Sequence, residues 1–241
     1  MTEANLLRIS QLGNGSSPRL PNDIPLIPLI ANKKNAITEI EARALIKLLN
    51  CLFKKACVEA GYPDRKITAL TTKFRDAGRR SAPWRPTSSR VPGRPQDGSD
   101  GNRINRWLMP VEHKFYADEV NATLVEAKYY LQALSMLNAP DVSTDGITNC
   151  FTPWLVKHPV TPGAYKDPLQ RIDIDFNEFI ENPRIMQSGH LDPLDRTGRH
   201  VPDNTYLMYY RSNQIQGNLK MDELLELMER IHKDHKLDPF I

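Results

Sequence analysis

The chain has 241 residues, which is enough for one large domain or two small ones with a substantial buried core. No stretch approaches the roughly 18 consecutive apolar residues of a membrane-spanning helix, so we expect no membrane role. Its three cysteines form no CxxC pair, which argues against a disulfide framework and is typical of a cytoplasmic protein. The net charge of +3 is too small to identify a partner by itself.

The N-terminal part divides into two segments. Residues 1–35 are rich in Pro, Asn, Gly and Ser without a sustained period, which predicts an extended arm. From Thr38 the pattern changes, because Thr38 and Glu41 have capping-box spacing and apolar residues then recur at helical intervals. We expect a long amphipathic helix to about Ala60 that packs in the core, with a dimer seam as the alternative. It opens a mainly helical scaffold over residues 36–171.

Positive charge is concentrated in residues 63–107. Between Arg65 and Arg106 there are 11 Lys or Arg against three Asp, and prolines and glycines interrupt the second half of the segment. Arginine can pair with guanine or phosphate, and an indole ring can stack on or wedge beside a base. A solvated basic loop is the competing interpretation. The expected DNA contacts in this segment are Arg79, Arg80, Trp84, Arg85, Arg90, Arg94, Arg103 and Arg106.

Two further helices follow. An apolar stripe predicts a scaffold helix from about Glu112 to Asn138, whereas residues 140–171 are turn-rich and have no assigned role. The C-terminal stretch from Met221 to about Lys236 has a helical period. Its apolar residues, which we expect to face inward, are Leu224, Leu225, Met228 and Ile231.

Three residues near the C-terminus argue for chemistry. His190 lies in the stretch Ser188-Gly189-His190-Leu191-Asp192-Pro193, Asn204 follows 14 positions later, and Asn213 nine positions after that. A neutral histidine is a suitable general base near pH 7, because its unperturbed pKa is about 6.5. This order of residues, around a loop that contains Gly198, resembles the HNH (ββα-metal) motif of nucleases over roughly residues 172–220.

The resemblance implies a fold and a role for each position. It implies an α+β protein, in which a largely helical scaffold is joined to a C-terminal ββα-metal unit within residues 172–241. His190 matches the general base at the end of the first strand, and Asn204 matches the asparagine that fixes the loop. Asn213 matches the last letter of the motif, a metal ligand in many members. The implied cofactor is Mg²⁺ or Mn²⁺; many members also have a cysteine-built zinc site, but we expect no structural zinc here.

One position departs from the family pattern. The residue before the base is commonly an aspartate that binds the metal, and here it is Gly189. The replacement carboxylate is expected to be Asp192, with Asp175 and then Asp173 as alternatives. A sparse site of one carboxylate, one amide and DNA phosphate is adequate for a hard cation that keeps several waters.

Four charged or titratable residues flank the motif. Arg196, Arg199 and Arg211 are expected DNA contacts. His200 and Arg211 are also candidates to touch the scissile phosphate, with a solvated surface position as the equal alternative for both.

These observations favour a metal-dependent DNA endonuclease. The expected form is a homodimeric type II restriction enzyme on double-stranded DNA, since a two-fold symmetric site mirrors a two-fold symmetric protein. The resemblance implies 5′-phosphate and 3′-hydroxyl products. An HNH nicking or homing nuclease is the alternative within the enzyme class. The others are a DNA-binding protein with an inactive HNH-like unit and a structural protein whose motif match is chance.

Overall fold

The computed structural model describes residues 3–12, 26–33, 36–81, 103–142, 150–151 and 154–237. The protein is α+β: helices predominate, and the strands form two small antiparallel pairs. The helices are α1 Glu3–Ser10, α2 Leu26–Ala31, α3 Glu39–Glu59, α4 Asp64–Gly78, α5 Glu119–Ala133, α6 Phe176–Glu181, α7 Tyr210–Gln216 and α8 Met221–Leu237. The strands are β1 Arg80–Ser81, β2 Ile104–Asn105, β3 Met186–His190 and β4 Thr205–Tyr209.

Helix α3 confirms the helix predicted from Thr38. The Thr38 hydroxyl accepts from the Glu41 amide at 3.3 Å, and the Glu41 carboxylate accepts from the Thr38 amide at 2.9 Å. The two bonds satisfy backbone donors that have no partner within the helix. The chain leaves the helix through Gly61, whose φ of +85° is easily adopted only without a Cβ.

The composition of the N-terminal segment predicted an extended arm, and this prediction is wrong for part of the segment. It contains α1 and α2, and Ile9 of α1 and Ile27 of α2 are fully buried in the core shared with α3. The apolar face of α3 gives these short helices a surface to pack on. Packing of this kind supplies most of the stability of short helices and outweighs weak local propensity.

Helix α5 lies in the centre of the core. From Ala122 onward all its residues are buried, as in a helix surrounded by protein on every side. The Tyr130 ring packs edge-to-face against Phe74 of α4 at 4.9 Å and Phe53 of α3 at 5.3 Å between centroids. The helix is shorter than predicted, because Asp118 caps its first turn by accepting from the Asn121 amide at 2.8 Å.

Strands β3 and β4 form a hairpin that α7 follows directly. The register pairs Met186 with Tyr209 and His190 with Thr205. Side chains satisfy the free edge of β4: the Leu207 amide donates to the Gln132 amide oxygen at 3.0 Å, and the Tyr209 amide donates to the Asp167 carboxylate at 2.8 Å. An edge covered in this way is protected from pairing with another chain.

Helix α8 confirms the predicted C-terminal helix but not the orientation of its apolar residues. Leu224 is buried, whereas Leu225, Met228 and Ile231 are about half exposed at 53%, 47% and 46%. The helical period predicts that these residues share a face, but not that another element covers that face.

Within the described ranges no helix is both long and apolar enough to cross a membrane.

Candidate active site

His190 is the last residue of β3, and α7 fixes the strand at this point. The Gln216 side-chain amide donates to the His190 carbonyl at 2.7 Å and to the Leu191 carbonyl at 3.2 Å. Gln216 is itself buried. Gly217 then ends α7 with a positive φ of +56°. The hairpin and helix therefore hold the backbone of His190 from two sides.

A second histidine holds the His190 ring. His190 Nε2 lies 3.0 Å from His200 Nδ1, and His200 Nε2 lies 2.8 Å from the Gly78 carbonyl oxygen. His200 is fully buried, so neither of the positions expected for it, at the scissile phosphate or on a solvated surface, is observed. Burial, with a smaller contribution from the nearby Arg106, lowers the pKa of His190 to about 3. The same causes lower the pKa of His200 well below its usual value.

The hydrogen-bond network assigns the protons of both rings. The Gly78 carbonyl can only accept, so the proton of His200 is on Nε2 and its Nδ1 is an acceptor. His190 must then donate from Nε2. Because both rings are neutral, the lone pair of His190 is on Nδ1. This nitrogen is therefore the basic atom of the pair.

The carbonyl at the end of the network is available because α4 ends there. The last carbonyls of a helix have no intrahelical donor, and a cation near them is favourable. Arg106 donates to Gly78 O at 3.0 Å and to Ala77 O at 3.3 Å. Arg106 was expected to contact DNA, but only 6% of it is exposed and its guanidinium bonds to backbone, so its role here is structural.

Asn204 joins the two ends of the loop between β3 and β4. Its amide oxygen accepts from the Asp192 amide at 2.7 Å, and its Nδ2 donates to the carbonyls of Asp192 and Arg199, each at 2.9 Å. Gly198 packs so tightly here that an added Cβ would lie 1.8 Å from the Asp192 carbonyl oxygen. These contacts fix the loop that includes His200.

Asn213 lies on α7, against β3. Its Nδ2 donates to the Gln187 side-chain oxygen at 2.8 Å, and its Oδ1 is 3.4 Å from where a Cβ on Gly189 would be. Position 189 therefore faces Asn213, while His190 faces the opposite side of the strand. The thioether of Met208 occupies the space beside Gly189, 1.9 Å from the same Cβ position. A carboxylate at position 189 would require Met208 to move.

The carboxylates considered as replacements have different surroundings. Asp192 Oδ2 accepts from the Thr197 hydroxyl at 2.8 Å. Asp192 Oδ1 is buried, has no hydrogen-bond partner within the described residues, and is 3.9 Å from Lys220 Nζ. Asp175 caps α6, and Asp173 pairs with Lys166 at 2.9 Å. Of the three carboxylates, Asp192 is the one with a buried oxygen that accepts no hydrogen bond from the described residues.

The described part of the chain contains no group of three His, Cys, Asp or Glu side chains suited to a metal ion. What it offers is two oxygens, Asn213 Oδ1 and Asp192 Oδ1. Hard cations such as Mg²⁺ are commonly held by one or two carboxylates together with substrate phosphate and water. As donor types, these two oxygens suit a sparse Mg²⁺ site completed by substrate, and they do not make a site built from protein alone.

The arginines expected at DNA have varied environments. Arg79 forms an ion pair with the buried Glu126, and Arg80 donates to the Arg103 carbonyl at 2.7 Å. Arg196 pairs with Glu223 on the surface. Arg196, Arg199 and Arg211 are exposed, and Arg103 is partly exposed. Trp84, Arg85, Arg90 and Arg94 lie outside the described residues.

The neutral histidine pair predicts a dependence of stability on pH. Both pKa values are lower in the folded state than the unfolded value of about 6.5, so the unfolded chain binds more protons and stability falls as pH falls. Each such histidine contributes a slope of up to about 1.4 kcal/mol per pH unit below pH 6.5. For His190 this extends to a pH of about 3.

Urea unfolding at pH 6.5, 5.5 and 4.5 measures this slope. We expect wild type to lose more stability over this range than His200→Leu, which removes one of the two groups. Carboxylates titrate in both proteins and cancel in the comparison. Parallel stability curves for the two proteins would contradict the neutral buried pair.

Comparison with known proteins yields a distant structural likeness. No protein-family model matches the chain, and no curated protein matches it. Among solved structures, a match is found to a chain described as a crystal structure of a type II restriction endonuclease, with 18% sequence identity and a TM-score of 0.43. The match covers 56% of this chain and 63% of the other chain.

Proposed function

We propose that this protein is an endonuclease that hydrolyses phosphodiester bonds of double-stranded DNA, with His190 as the general base. The observation that supports this most directly is the bonding of His190 Nε2 to the buried His200, which leaves Nδ1 with a free lone pair. The proposal is also supported by the hairpin, the loop fixed by Asn204 and the helix bearing Asn213, which form one unit.

The first step is proton transfer from the attacking water to His190 Nδ1. The low pKa of the ring keeps it neutral at neutral pH, and an anionic phosphodiester close by would raise that pKa toward the working range. After the transfer the ring is a cation, and its Nε2–H bond to His200 Nδ1 becomes a stronger, charge-assisted bond. His200 therefore fixes the ring before the step and stabilises its charge afterwards.

Mg²⁺ or Mn²⁺ is proposed as the cofactor, with Asn213 and Asp192 as the residues that offer oxygen ligands. When bound, such an ion stabilises negative charge on the phosphate and on the departing 3′ oxygen. Asn204 has no place in that donor set, because its amide is fully used in closing the loop. Its role is to position the segment that includes His200.

The proposed specificity is that of a type II restriction enzyme. Exposed arginines at Arg199 and Arg211 flank the unit, and the basic segment supplies further cations for the DNA backbone. The products of this class of chemistry are 5′-phosphate and 3′-hydroxyl ends.

Digestion of supercoiled plasmids tests the proposal. We expect discrete linear fragments with Mg²⁺ or Mn²⁺ and no cleavage with a chelator. Open circles without linear product would indicate a nicking enzyme. An absence of any cleavage on plasmids of varied sequence with either ion would contradict the nuclease proposal.

The alternative function is DNA binding without cleavage. It is favoured by the glycine at position 189 and by the Met208 thioether in the space beside it. On this alternative the protein would retard a DNA duplex in a gel but would not cut it under any metal condition. The plasmid digestion and a gel shift on the same DNA separate the two functions.

A homodimer is proposed as the active form. The half-exposed Leu225, Met228 and Ile231 lie at three-residue intervals on α8, so they form a stripe that a second copy of this chain could cover. Sedimentation velocity should give a dimer for wild type and a monomer for Met228→Glu. A monomeric wild type at micromolar concentration would contradict this assignment.

A further inference from the structure

A groove of about 430 Å³ lies between α4 and the start of β3, next to the candidate site. This volume is within the range of ligand-binding pockets. Its walls are formed by residues of α4 and β3, by Arg103 just before β2, and by Pro183 and Arg184 just before β3. Its lining residues include Lys73, Asp76, Arg103, Arg184, Gln187 and Ser188.

The groove is positively charged. Three of these residues are the cations Lys73, Arg103 and Arg184, and Asp76 is the one carboxylate among the lining residues. That carboxylate is already paired, since it accepts from Arg75 at 3.0 Å and is 3.8 Å from Arg103. The remaining positive charge is not neutralised by the described residues of the groove.

Two of the three cations, Lys73 and Arg184, have no ion-pair partner among the described residues, and Lys73 is the less exposed of these two. It is only partly exposed, and burial together with the nearby Arg103 lowers its pKa to about 8. Within the described ranges its ammonium group has neither a hydrogen-bond acceptor nor a carboxylate partner. Partly burying a cation without a partner is unfavourable, and an anion in the groove would reverse that cost.

The groove also leads toward the reacting groups. Gln187 accepts from Asn213 through its side-chain oxygen, which leaves its amide donors directed to no described residue. Ser188 lines the groove and lies two residues before His190 on the same strand face. Two strand residues span about 7 Å, so Ser188 and His190 lie about that far apart along β3.

We propose that this groove binds a phosphodiester of the DNA backbone near the one that is cut, with Lys73 as its central contact and Arg103 and Arg184 beside it. This rests on the proposed function, because the anion is a phosphate of the same substrate. The contact positions the strand and reads no base. It should therefore contribute equally on all sequences and weaken with salt.

The test measures duplex binding over a range of salt concentrations. All variants are made on His190→Ala, so that DNA stays intact. Lys73→Gln should make the negative slope of log K against log salt shallower by about 0.9. It should also weaken binding about 5- to 10-fold at 0.1 M salt. Lys73→Arg, which keeps the charge, should restore the slope. Lys55→Gln removes an exposed charge on α3, outside the groove, and should change neither quantity.

The outcomes separate this inference from the proposed function. If His190→Ala binds the duplex and Lys73→Gln binds it with the same slope, the groove does not hold a phosphate although the protein is a DNA-binding protein. If no variant binds DNA, both proposals are contradicted. Thermal unfolding identifies a folding defect, because removing an unpaired, partly buried cation should leave the melting temperature unchanged or higher.

Discussion

His190→Ala should reduce the rate of DNA cleavage by about 10²- to 10⁴-fold, the contribution that a positioned general base typically makes. Binding should be unaffected, because the imidazole acts on the attacking water and makes no contact that holds the DNA. The measurement is single-turnover cleavage of a plasmid at saturating enzyme, with duplex affinity determined separately by fluorescence anisotropy.

The matched control for this variant is His235→Ala. His235 is exposed near the end of α8, so its replacement removes an imidazole without touching the hairpin unit. Because His235 lies one helical turn beyond Ile231, sedimentation velocity must show that the variant keeps the proposed dimer. It should cleave at the wild-type rate. Equal cleavage by His190→Ala and wild type would contradict the assignment of His190 as the base, and loss of DNA binding in His190→Ala would show that the residue contributes to affinity.

Replacement of His200 should have an effect nearly as large without removing the base. In His200→Leu the His190 ring loses the acceptor for its Nε2 proton, so the proton can move to Nδ1 and leave no base facing the water. We expect cleavage to fall about 10²-fold or more, within the range for acid–base groups. His200→Gln keeps an acceptor and a donor on one side chain, so it should recover part of the lost rate.

A readout other than activity distinguishes positioning from general loss of structure. Nitrogen chemical shifts of the His190 ring report which nitrogen holds the proton. Wild type should have the proton on Nε2, and His200→Leu should have a mixture of the two tautomers while its circular dichroism spectrum stays native. A wild-type ring protonated on Nδ1 would contradict the network, whatever the rate of cleavage.

Several elements could be read from the sequence because their signals are local. The capping pair of Thr38 and Glu41 marks the start of α3, since the two residues bond within one helical turn. The helical period of the C-terminal stretch identifies α8. Asn204 and Asn213 were singled out by their spacing from His190, and all three lie in the single hairpin-and-helix unit.

Other residues could not be found in this way because their roles depend on distant partners. His200 bonds to a carbonyl 122 residues earlier in the chain, which no short-range pattern encodes. Arg106 belongs to a cluster of basic residues, yet it is buried because the end of α4 presents carbonyls to it. The side chains of Leu225 and Met228 share a helical face that the described part of the chain leaves half exposed.

The sequence by itself determined the helices α3, α5 and α8 and the chemistry of the imidazole and the two asparagines near it, because these depend on neighbours within a few residues. Only the tertiary structure decided which nitrogen of His190 is basic and which cations remain without a partner. Both depend on atoms that packing brings together from α4, α5 and the hairpin. Burial strengthens the effect of those contacts, since the pKa of an imidazole or of an unpaired ammonium group shifts far more inside the protein than in water.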